Sequence, residues 1–126
     1  MKVNYFINFP KYILSFIAFI AVSHFSIAQS KPYSNGTYNF GVFDKEYGKT
    51  TARCNVFIEN DWVTVKVVES LVEDIYSDNQ IIYSGRIMKY EGQYYIVENG
   101  QGPNEVEDFE YETPRIDFKR KYIIHY

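Results

Sequence analysis

Few side chains of this 126-residue chain are suited to nucleophilic or acid–base chemistry. A nucleophile needs a base beside it, and histidine is the usual base near neutral pH. Beyond residues 1–28 the only histidine is His125, second from the end, where we expect a strand-terminal surface residue. Cys54 alternates with valines and is expected to be a buried, inert thiol. The sequence therefore predicts no enzyme and no catalytic residue.

Carboxylates are concentrated in residues 105–112, but their spacing matches no metal site. A calcium loop needs oxygens at alternate positions around a glycine turn and a final glutamate, and this pattern is absent. One cysteine excludes a cysteine zinc site, and the glycines of residues 99–102 lack the lysine of a phosphate loop. Nothing singles out two of the sixteen acids as a glycosidase pair. We predict no metal and no cofactor.

The same acids have three readings that the sequence leaves open. Alternation puts Val106, Asp108 and Glu110 on one face of a strand, which would be an acidic edge strand or exposed loop. The acids would otherwise dock a basic partner, or neutralise the basic residues at 115–121 across a hairpin. Large aromatic side chains with a polar tip are the other contact candidates. The candidate partner contacts are Trp62, Tyr94, Tyr95, Glu107, Asp108 and Glu110.

The first 28 residues are typical of a secretory signal peptide. They contain Lys2 and Lys11 but no acid, then an uncharged run over residues 12–22, and they end in Ser-Ile-Ala at 26–28. The run of 11 residues is short of the roughly 20 that span a bilayer. We therefore expect cleavage before Gln29, no stable membrane span afterwards, and export to the periplasm or the cell exterior.

Residues 29–126 are expected to form a single β domain. Two of the 13 cationic residues lie in the signal, which leaves 11 against 16 acids, a net charge of −5. This balance gives no basic excess for nucleic acid. The sequence indicates no oligomeric state.

A hairpin over residues 54–67 is the firmest structural prediction. Apolar residues alternate on both sides of Asn60-Asp61, a turn-forming pair. A two-residue turn there makes paired positions sum to 121. Ile58 would then face Val63, and every apolar side chain would lie on one side of the sheet.

Further strands follow with the same alternation. Residues 81–90 and 94–97 flank Glu91-Gly92 in a second hairpin, whose loop has two or three residues. Residues 116–118 and 122–124 flank a third turn, and residues 69–79 hold the best chance of a helical turn. The pattern predicts an all-β fold, an antiparallel meander of about six to eight short strands curled into a small barrel or sandwich.

Three short motifs carry a resemblance: GTYNF at residues 36–40, YSGRI at 83–87 and IDFKRK at 116–121. Through them the chain resembles uncharacterised small exported all-β proteins of Bacteroidota-type bacteria. The resemblance implies export and a β fold, and it implies no activity. Such proteins often carry further cysteines in the C-terminal half, where this chain has NGQGP at 99–103. No disulfide is therefore carried over.

These observations favour a small exported, non-catalytic β domain that binds an envelope or secreted protein. One alternative is a lipocalin-like carrier with an apolar ligand in the barrel mouth. The other is a hydrolase that uses carboxylates. Ninety-eight residues are few for a carrier, because a ligand cavity takes volume from a modest core.

Overall fold

The computed structural model describes residues 31–98, 102–105 and 108–126. The predicted signal peptide, residues 1–28, lies outside these ranges. Residues from Tyr33 to Tyr126 belong to one compact unit. Within the described ranges, no helix has the length and apolar character needed to cross a membrane.

Seven strands form a closed barrel in sequence order. Each strand pairs antiparallel with the next, and the last pairs parallel with the first. This parallel seam follows from topology, because the first and last of seven alternating strands run in the same direction. The strands are β1 (Gly36–Asp44), β2 (Lys49–Glu59), β3 (Trp62–Ser70), β4 (Ile81–Tyr90), β5 (Gln93–Val97), β6 (Arg115–Asp117) and β7 (Tyr122–His125), and one helical turn, α1 (Phe109–Glu112), precedes β6. The predicted all-β meander is confirmed, as a barrel.

The β2–β3 hairpin has the predicted register. Ile58 pairs with Val63, Val56 with Val65, and Cys54 with Val67. Its turn residues have φ of 50° and 65°, the left-handed values of a type I′ turn. The second hairpin resolves to a two-residue loop, because Tyr90 pairs with Gln93.

Inward-facing side chains fill the barrel. The five inward-facing valines of β1, β2 and β3 have no exposed surface. Ile96 and Ile123 close the core from the other side and are 1% and 0% exposed. Apolar burial is the main stabilising contribution to such a fold. The valines are Val42, Val56, Val63, Val65 and Val67.

A second, smaller core lies on the outer wall. In β5, Tyr94 and Ile96 face inward, so Tyr95 and Val97 face outward. Phe109 of α1 covers them, with its ring 4.9 Å from that of Tyr95. The segment before β6 is thus held against the barrel by apolar contact.

Two local predictions are wrong. Residues 69 and 70 end β3, and residues 71–79 form an irregular loop with bends and turns rather than a helical turn, because Val67 hydrogen-bonds at its N–H to Gln80 and at its C=O to Asn79, which closes the loop. The prediction of an acidic strand is wrong for the described residues 108–112, because Asp108 has a left-handed φ of 56° and α1 follows it. Burial of Phe109 decides this conformation.

Candidate binding groove

Two adjoining depressions lie on the outer wall where β7 closes on β1. Their volumes are about 710 Å³ and 410 Å³, they share Thr50, Arg120 and Tyr122 in their walls, and together they are called the groove. Each volume falls in the range of about 300–1,000 Å³ that is usual for ligand sites.

The parallel seam positions an aromatic floor. Gly41 pairs with Tyr122 and Phe43 with Ile124. All four face outward, since Phe40, Val42 and Ile123 point into the core. The rings of Phe43 and Tyr122 meet edge to face, with centroids 6.3 Å apart. A Cβ on Gly41 would lie 2.7 Å from Cε1 of Tyr122, so the glycine makes room for that ring.

Cationic side chains surround this floor. Six residues of the groove wall are cationic and one, Asp117, is acidic, on a chain whose formal charge is −3. They come from two distant segments that the barrel seam brings together. Like charges side by side raise the local potential and attract anions. The cations are Lys45, Lys49, Arg53, Arg115, Arg120 and Lys121.

Neutral groups orient two of these cations and leave their charge available. Arg115 hydrogen-bonds to the side-chain oxygen of Gln93. Lys45 donates to the hydroxyl of Tyr126 at 3.1 Å, and its Nζ lies 4.4 Å from the centre of that ring. Such contacts fix the position of a cation without neutralising it.

Two other cations have acidic neighbours. Arg53 donates from Nε to Glu69 at 3.0 Å. Arg120 lies 4.0 Å from Asp117 within its own turn, and its side chain is 80% exposed. Exposed pairs of this kind contribute little energy, so an anionic ligand competes with them readily. Arg120 therefore pairs with Asp117 and not with an acid of residues 105–112, so it does not show the predicted neutralisation between the acidic and the basic cluster.

The backbone of the groove floor is already paired. Residues 41–44 of β1 lie between β2 and β7, and residues 122–124 of β7 lie between β1 and β6. An occupant therefore cannot add a strand here and must be recognised through side chains.

Known proteins add no ligand or activity to this groove. No family model, curated protein or solved structure matches the chain. The resemblance to small exported β proteins stays an expectation, and the side chains of the groove are what indicate an occupant.

The predicted aromatic contacts are not part of the groove wall, although Tyr95 pairs with Arg115, which is. Trp62 is 51% exposed on the outer face of β3, where its Nε1 donates to Ser84 at 3.2 Å. Tyr94 is half-buried at one end of the barrel, with its ring 5.5 Å from Phe118. Tyr95 is 5% exposed beneath α1, which leaves it little surface for a partner.

The predicted acidic contacts lie beside α1. Asp108 and Glu110 are exposed there, whereas Glu107 lies outside the described residues. A hydrogen bond and charge repulsion from Glu91 raise the pKa of the Glu110 carboxyl. The structure therefore brings Tyr95 close to Glu110 at α1, whereas Trp62 and Tyr94 lie elsewhere.

His125 and Cys54 both lie inside the barrel. His125 keeps 31% of its side chain exposed, with Nε2 3.8 Å from Oδ2 of the buried Asp44, and its Nδ1 hydrogen-bonds with the hydroxyl of Tyr83. The predicted strand-terminal position of His125 is confirmed, but its side chain is half-buried rather than on the open surface, because β7 turns it toward the inner side of β1. The burial predicted for Cys54 is confirmed at 1% exposure, and desolvation raises the pKa of its thiol to about 12.

Proposed function

We propose that this chain is an exported, non-catalytic binding module whose outer-wall groove holds an acidic partner of the envelope or the secreted medium. Charge segregation is the observation that carries the proposal. Six of the 11 cationic residues beyond residue 28 line the groove, and among the acids that the structure describes only Asp117 joins them. Isolated surface charges do not indicate a ligand. In a cluster of cations the like charges repel one another, and a bound anion reduces that repulsion.

The filled interior favours binding on the outside over the carrier alternative. A lipocalin-like ligand would have to displace inward valines of β2 and β3 that have no exposed surface. Each displaced contact would cost apolar burial. The groove requires no such rearrangement, because its aromatic floor already faces solvent.

The test compares charge reversal inside and outside the groove. The double variant Lys49→Glu/Arg120→Glu changes two exposed groove cations, and Arg86→Glu/Lys89→Glu makes the same charge change at two exposed cations of β4 that do not line the groove. Binding of labelled poly-L-glutamate, oligogalacturonate and oligo-dT is measured by fluorescence anisotropy at several salt concentrations.

We expect at least one of these polyanions to bind the unmodified protein, with an affinity that falls as salt rises. Reversal in the groove should weaken that binding at least tenfold, roughly 1.4 kcal/mol, while the control variant changes it less than twofold. Absence of binding to all three probes, or an equal loss in both variants, contradicts the proposal.

A further inference from the structure

We infer that the occupant of the groove is an acidic glycan, a sugar chain that carries carboxylate or sulfate groups. This inference rests on the proposed function and names the chemical class of the partner. It follows from three features of the groove: its aromatic floor, its neutral polar side chains and its closed backbone.

The floor offers an apolar surface between cations. Phe43 and Tyr122 are half-buried, and cationic side chains of the β1–β2 and β6–β7 turns flank them. The C–H face of a pyranose ring packs on an aromatic face, while acid groups at its rim reach the cations. A flexible acidic peptide has no comparable rigid apolar face at each acidic unit.

Neutral hydrogen-bonding groups line the other half of the groove. Asn39 and Asn55 are paired across β1 and β2, and Thr50 joins them in the wall. Amides and hydroxyls both donate and accept, as the hydroxyls of a sugar do. A partner made only of carboxylates could accept from these groups but could not donate to their oxygens.

The closed backbone and the surrounding charge argue against the other polyanions. An extended peptide gains much of its affinity from strand pairing, which the groove floor cannot offer. The groove crosses five strands, from β3 through β2, β1 and β7 to β6, about 19 Å, and net negative charge lies outside it. A nucleic acid that extends past this width would meet repulsion from that negative charge.

The experiment compares four ligands of similar length on the full mature protein. They are oligogalacturonate, the same glycan with its carboxylates reduced to alcohols, poly-L-glutamate and oligo-dT, each measured by anisotropy or calorimetry. Saturation-transfer NMR on the unmodified protein then reports whether aromatic protons lie against the ring protons of the sugar. The variant Phe43→Leu, with Phe57→Leu on the exposed outer face of β2 as control, tests the floor itself.

Oligogalacturonate should bind at least tenfold more tightly than poly-L-glutamate or oligo-dT, and the reduced glycan at least tenfold more weakly than the acidic one. Phe43→Leu should weaken glycan binding severalfold and leave poly-L-glutamate binding within twofold. If poly-L-glutamate and the glycan bind equally and charge reversal in the groove abolishes both, the glycan inference is contradicted and the proposed function stands. Tightest binding of oligo-dT overturns the glycan as well. No binding of any anion overturns both.

If Phe43→Leu does not fold, the saturation-transfer result on the unmodified protein decides. Transfer from aromatic protons to sugar ring protons supports the inference, and its absence with bound oligogalacturonate contradicts it.

Discussion

The buried thiol of Cys54 makes a quantitative prediction about stability at alkaline pH. Its pKa is raised from the ordinary 9.0 to about 12, because burial disfavours the thiolate more than a hydrogen bond from the Phe40 backbone favours it. The unfolded chain therefore loses this proton at a lower pH than the folded chain does. Stability from this group is fully present below about pH 9 and is lost as the pH rises toward 12.

Linkage gives the size of the effect. Between about pH 8 and about pH 10.5, a shift of this size lowers the free energy of unfolding by about 2 kcal/mol. Cys54 is 1% exposed, so solvent screening does not reduce this figure appreciably. Tyrosines such as Tyr76 also have pKa values raised by burial and add to the alkaline loss.

The variant Cys54→Ala separates the thiol from the tyrosines. Urea unfolding of both proteins across this pH range should show the unmodified protein losing about 2 kcal/mol more than the variant. The cavity left by the substitution lowers stability equally at every pH and cancels in the comparison. Parallel pH profiles for the two proteins would refute the burial of this thiol.

Two further predictions concern glycines and the single tryptophan. Gly85→Ala should lower the free energy of unfolding by about 1–3 kcal/mol, because its Cβ would lie 2.6 Å from the backbone oxygen of Val97. Gly41→Ala should cost less in urea unfolding, since the Tyr122 ring that it meets is a side chain that can rotate; the reverse order would contradict the packing described. Trp62, half-exposed, should emit at long wavelength and be quenched by acrylamide in the folded state, and blue-shifted, protected emission would contradict its position.

Local chemistry explains why the β2–β3 hairpin was predictable. Asn60-Asp61 accepts the left-handed conformation of a type I′ turn, and the valines on either side share one face only in that register. Turn and burial therefore favour the same pairing. At Glu91-Gly92 the sequence allowed two loop lengths, because inward Ile96 and outward Val97 are both apolar.

The groove was not predictable in the same way. It depends on the pairing of Gly41 with Tyr122, which lie 81 positions apart. Lys49 and Arg120 carry no pattern that relates them before the barrel closes. The sequence shows a basic run at residues 115–121 and a glycine at position 41. Neither indicates a groove until the register of β1 against β7 is known.

The acidic segment shows the opposite case, in which a visible pattern misled. Alternation over residues 106–111 predicts a strand, but the structure places Phe109 in α1, where its buried ring covers Tyr95. A burial site on the outer wall of a barrel has no signature in a short sequence window.

Amide NMR of residues 29–126 during titration with oligogalacturonate tests the central claim most directly. Binding in the groove predicts the largest shifts at Gly41, Phe43 and Tyr122, with loss of these shifts in Lys49→Glu/Arg120→Glu. Shifts centred on Trp62 and its hydrogen-bond partner Ser84 would place the binding surface elsewhere and contradict the account.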